Sequence, residues 1–134
     1  MGRLKSDLQN KLYGNQIKTE LQSGENLIFQ NSIAYYQEPK PSIAFRAVIG
    51  ITSRRVIIEP TMRPNDVISL FYYDIQSITE EVYQGFRICR KPAVIHITRK
   101  DNIHYYLYSY SADNNETRNM LLTIQNALNN VLFL

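Results

Sequence analysis

The chain has 134 residues, 44% of them hydrophobic and 20% charged, and a net charge of +3. That is the size of one domain with a core of its own, and with only five Gly and five Pro it is neither collagen-like nor low in complexity. The single cysteine, Cys89, excludes an internal disulfide, and apolar runs of no more than four residues exclude a membrane-spanning helix, which needs about 20.

Arg3 to Leu21 has a helical period: Leu4, Leu8 and Leu12 recur at i+4, and Ile17 and Leu21 resume the stripe after a break at Gly14. Residues 1–22 are read as an N-terminal helical segment, with Gly24 as the left-handed residue that ends it. No apolar run follows the charges near Met1, so no secretory signal is read there and a cytoplasmic location is expected.

From Glu25 to Ser111 the period becomes two. Strands are predicted over 27–36, 42–52, 54–59, 67–73, 74–82, 86–90, 93–98 and 103–110. In the second, Ile43, Phe45, Ala47, Ile49 and Ile51 share a face and Arg46 takes the other; in the last, Ile103, Tyr105 and Leu107 oppose His104, Tyr106, Tyr108 and Tyr110. Arg99 to Asn102 reads as a hairpin turn with Asp101 or Asn102 at positive φ. Asp113 is an N-cap with Glu116 at capping-box spacing, and Met120, Leu121, Ile124, Ala127, Leu128, Val131 and Leu132 then form one apolar stripe. Seven or eight short antiparallel strands followed by one amphipathic helix make an α+β fold. The sheet must curl to hide its apolar face, and the helix plugs the open end.

Three segments carry a resemblance: Leu21 to Glu25 (LQSGE), Gly50 to Ile58 (GITSRRVII) and Ile68 to Ile78 (ISLFYYDIQSI), followed by Ile95 to Asn102, Tyr105 to Leu107 and the final helix. Over residues 20–130 the chain resembles the pleckstrin-homology-like superfamily, in its bacterial PH and GRAM-type branch. It departs at Phe71, where a proline-like turn residue is usual, and at Asn102, where a hairpin glycine is usual. The resemblance implies, for residues 23–134, a PH-like curved antiparallel β-barrel of about seven strands capped by the C-terminal helix. It also implies a non-enzymatic binding or assembly module, with Thr52, Arg54 and Asp74 in structural roles at the strand reversal and the turn before Ile75.

For chemistry the residues offer little. Glu80 and Glu81 point to opposite faces, the isolated glycines make no phosphate loop, and Cys89 has no histidine partner. His96 and His104 fall on neighbouring strands without a third ligand close in sequence, so no metal, cofactor or catalytic residue is expected. Binding is the better class. Lys40 and Arg46 correspond to the basic residues with which lipid-binding relatives hold inositol phosphates, although Val48 stands where a further arginine is wanted. Arg87, Arg90 and Lys91 form a second basic rim, and His104, Tyr106, Tyr108 and Tyr110 an aromatic interaction face able in principle to stack RNA bases or a small ligand. The order of expected partners is a protein or a second copy of the chain first, then an anionic membrane surface to which the protein is peripheral, with nucleic acid last. Terminal Val131 to Leu134 adds an apolar contact surface.

Overall fold

In the computed structural model the described residues are 15–38, 44–83 and 92–132. Chain order is α1 (Asn15–Glu20), β1 (Leu27–Glu38), β2 (Phe45–Thr52), β3 (Arg55–Pro60), β4 (Ile68–Phe71), a 3-10 turn (Tyr72–Asp74), β5 (Ile75–Val82), β6 (Ala93–Arg99), β7 (His104–Ser109) and α2 (Asn114–Leu132). The seven strands form one antiparallel sheet in the order β4-β3-β2-β1-β7-β6-β5. The long β1 joins the two halves: it pairs with β2 from Leu27 to Tyr35 and with β7 from Ile33 to Glu38. The sheet curls into a half-barrel whose edges, β4 and β5, are consecutive in the chain. At that crossing Tyr72 turns inward and donates its hydroxyl to the Thr52 carbonyl at 2.7 Å, which ends β4 two residues earlier than the apolar run predicts.

The alternation decides the core. Ile33, Ala47, Ile49, Ile51, Val56, Ile58, Leu70, Ile95, Ile97 and Leu107 point into the curl and meet Met120, Leu121, Ile124 and Ala127 of α2. The helix lies against β2, β5, β6 and β7 and fills the mouth, each fully buried Ile or Leu there contributing about 1.5–3 kcal/mol. Two residues depart from the expected stripes. Val131 is 38% exposed near the end of α2, and Phe45, 48% exposed, lies at the rim rather than in the core. Asp113 caps α2 through Oδ1, which accepts the N–H of Asn115 (2.8 Å) and Glu116 (3.4 Å). The reciprocal half of the capping box is replaced, because the Glu116 carboxylate accepts from the Ser109 and Ser111 hydroxyls.

The short α1 lies outside the barrel. On the outer face of β3, Glu59 Oε1 accepts the N–H of Gln16 (2.8 Å) and Ile17 (3.2 Å), while Arg55 Nη2 donates to the Glu20 carbonyl (2.6 Å). A carboxylate at the N-terminus and a guanidinium at the C-terminus hold six residues that are too short to be helical alone. Ile17 drops against Val48 and Ile57 above Gly50, where a Cβ would stand 2.8 Å from the Ile17 side chain. The positive φ values fall at Gly24 (+79°), Asn102 (67°) and Ala112 (59°). The expected Leu4–Leu8–Leu12 stripe, the strand at 86–90, Cys89, Ile43, and the last two apolar residues, Phe133 and Leu134, lie outside the described residues.

Candidate functional site

Three polar or aromatic clusters stand out, and they differ in what they can offer a ligand. The first is internal. Arg55 grips Glu25 with two nitrogens (Nε to Oε2 2.9 Å, Nη2 to Oε1 3.0 Å) and reaches Ser69 Oγ at 2.9 Å. Thr52 Oγ1 lies 2.7 Å from Glu25 Oε2 and accepts the N–H of Arg54 and Arg55 at 3.0 and 2.9 Å. Burial alone pushes the Glu25 carboxyl up, but the bonds from Arg55, the Gln22 N–H and Thr52 outweigh it and bring the pKa down from 4.5 to about 2. Thr52 thus ties the β2–β3 reversal. The buried cation is Arg55, whereas Arg54 is exposed and donates to the Gln22 side chain at 3.1 Å. Asp74 ends the 3-10 turn, with its carbonyl accepting the Lys100 N–H at 2.8 Å and its side chain exposed.

The second cluster covers the outer face of β1, β7 and β6. Tyr106 is sandwiched between Tyr36 (centroids 4.6 Å apart, planes 6° apart) and His96 (4.4 Å, 13°). Tyr83 stands edge-on to Tyr36 and Tyr108. Burial, followed by the Glu38 and Glu81 carboxylates, raises the Tyr106 hydroxyl to about 12. Both ring faces of Tyr106 are therefore taken and Tyr108 is buried, so a base has no free ring to stack on at either position. Tyr110 is 53% exposed, with the Arg46 guanidinium 4.4 Å above its ring. The tyrosines cover one another; α1 covers β2 and β3 instead. His104 contacts His96 on the neighbouring strand, and Glu81 joins them while Glu80 turns to Arg118 of α2. Among the described residues no three His, Cys, Asp or Glu side chains group as a metal site on their own.

The third is a groove of about 630 Å³ at one end of the half-barrel, lined by Tyr35, Phe45, Arg46, Pro60, Met62, Arg63, Asp66 and Ile68. Its floor is apolar. Phe45 leans on Tyr35 with centroids 6.1 Å apart, and Met62 is 87% exposed on the β3–β4 connection. Two guanidiniums and one carboxylate edge it. Of the basic residues expected to bind, Arg46 is the one the structure brings here. Lys40, Arg87, Arg90 and Lys91 lie outside the described residues. Sequence reading missed Met62 and Arg63, which sit in a polar loop stretch with no periodicity to mark them.

Neither the family models nor the curated proteins give a match to the sequence. Among solved structures, the chain is similar to the Vps36 N-terminal PH domain, with TM-score 0.61, 20% identity, and 85% of this chain and 86% of that one covered. It is also similar to the C-terminal domain of an unknown protein from Leishmania infantum, with TM-score 0.57, 14% identity, and 90% and 96% covered. No helix among the described residues is long and apolar enough to cross a membrane. At such low identity the likeness speaks for architecture alone, and with the strand order above it gives the chain a PH-like fold.

Proposed function

We propose that the chain is a non-enzymatic binding module of the bacterial PH and GRAM-type branch, acting in the cytoplasm, whose ligand is a segment of a partner protein seated in the groove at the end of the half-barrel. One observation carries this: Phe45 and Met62, 48% and 87% exposed, flank an apolar floor edged by Arg46 and Arg63. Large apolar side chains held at a rim beside guanidiniums suit a peptide that offers an apolar anchor next to a carboxylate. A photo-crosslinker placed at Met62 tests the reading. It should capture one protein, and Phe45→Asp should abolish that product while leaving the fold intact. The same product from a crosslinker at exposed Gln76, on the far edge strand, would defeat it.

The guanidinium pair supports a second reading, peripheral attachment to anionic phospholipid, at about 1 kcal/mol per basic side chain near the surface. Flotation with phosphatidylserine vesicles at low and high salt separates the two. Salt-sensitive binding lost in Arg63→Glu favours lipid, and its absence leaves the protein partner.

A further inference from the structure

The outer face of the β6–β7 hairpin gathers three donor atoms that the groove does not use. His96 Nε2 and His104 Nδ1 lie 2.7 Å apart, and Thr98 Oγ1 is 3.3 Å from each. The other nitrogen of both rings is engaged from outside. The Glu81 carboxylate, itself bonded by the Thr79 hydroxyl at 3.0 Å, takes His96 Nδ1, and Asn102 Oδ1 lies 3.3 Å from His104 Nε2. A carboxylate only accepts, so a neutral His96 ring carries its proton on Nδ1; with the Asn102 oxygen turned towards it, a neutral His104 ring carries its proton on Nε2. The two nitrogens that face each other are then both lone pairs. Thr98 has one hydroxyl hydrogen to offer the two of them, so the arrangement is left short of a cation.

The spacing suits a metal. A point about 1 Å off the plane of the three donors lies about 2.1 Å from each, the bond length of zinc to imidazole nitrogen. The angles there are about 80–105°, those of a facial set with the remaining positions open to water. With ring centroids 5.0 Å apart, binding tilts the two rings from head-on to convergent; the Tyr106 stack keeps the plane of His96. A carboxylate or amide oxygen behind each ligating imidazole is the outer support that such sites need.

We propose that His96, His104 and Thr98 bind one divalent transition-metal ion of the zinc and copper class, with Glu81 and Asn102 as positioning residues. The third donor is a hydroxyl, carried two residues from His96 on the same strand. The test titrates zinc and copper salts into the untagged chain by calorimetry and records the electron paramagnetic resonance of the copper form. One ion per chain and two coupled imidazole nitrogens are expected. His96→Gln and His104→Gln should each weaken binding at least tenfold, and Glu81→Gln about tenfold. Absence of stoichiometric binding, fewer than two imidazole nitrogens in the wild type, or unchanged affinity in a folded His104→Gln chain would overturn the proposal. The spectrum of the wild type decides the matter even where a variant fails to fold.

Discussion

The buried Glu25–Arg55 pair makes a measurable demand on pH. Folding moves the Glu25 carboxyl from 4.5 to about 2, so its contribution is fully present above pH 4.5 and is lost as pH falls towards 2. That difference corresponds to about 3 kcal/mol at neutral pH, of which less than half survives at pH 3 and little at pH 2. Glu25→Gln removes the titration while keeping an oxygen for Thr52 and Arg55. Urea unfolding of both proteins, followed by far-UV circular dichroism from pH 7 to pH 2, isolates the effect because every other carboxylate is common to the two. The gap between wild type and variant should narrow by about 3 kcal/mol over that range, most of it below pH 4.5. A gap that stays constant with pH would show that Arg55 does not hold Glu25 in its charged form, and the ion pair would then contribute nothing that titrates.

Three further outcomes follow from the packing. Ile124→Ala, in the part of α2 that plugs the barrel mouth, should cost about 2–5 kcal/mol in urea because the surrounding strands cannot close on the cavity. Gly50→Ala puts a methyl 2.8 Å from Ile17 and should cost about 1–3 kcal/mol, with faster amide exchange in residues 15–20 as α1 lifts away. Ala112→Gly should stabilise the protein by about 0.5 kcal/mol, read as a raised thermal midpoint. The relief of a left-handed alanine at φ 59° exceeds the entropy that glycine adds to the unfolded chain.

What could be read along the chain was whatever obeys a short period. Ala47, Ile49 and Ile51 alternate inward on β2, Tyr105 and Leu107 oppose Tyr106 and Tyr108 on β7, and the Met120–Ala127 stripe marks the plug, because one buried face imposes a repeat of two or 3.6 on any sequence that forms it. Turn chemistry likewise narrows the left-handed residue of the hairpin to Asp101 or Asn102, of which the structure uses Asn102, and assigns Gly24 to its left-handed corner. Periodicity says which side a residue faces and is silent about its neighbour on the next strand, and everything at the candidate sites depends on that neighbour. Arg55 rather than Arg54 became the buried cation because Glu25 and Ser69 arrive beside it from 30 and 14 residues away. Phe45 sits at a rim beside Tyr35 and the β3–β4 connection rather than in the core, and His96 and His104 met over Thr98 only through the register of β6 against β7. Local pattern determined the shell and the plug; long-range register chose which side chains share a surface, since strand pairing is the step that brings distant residues within bonding distance.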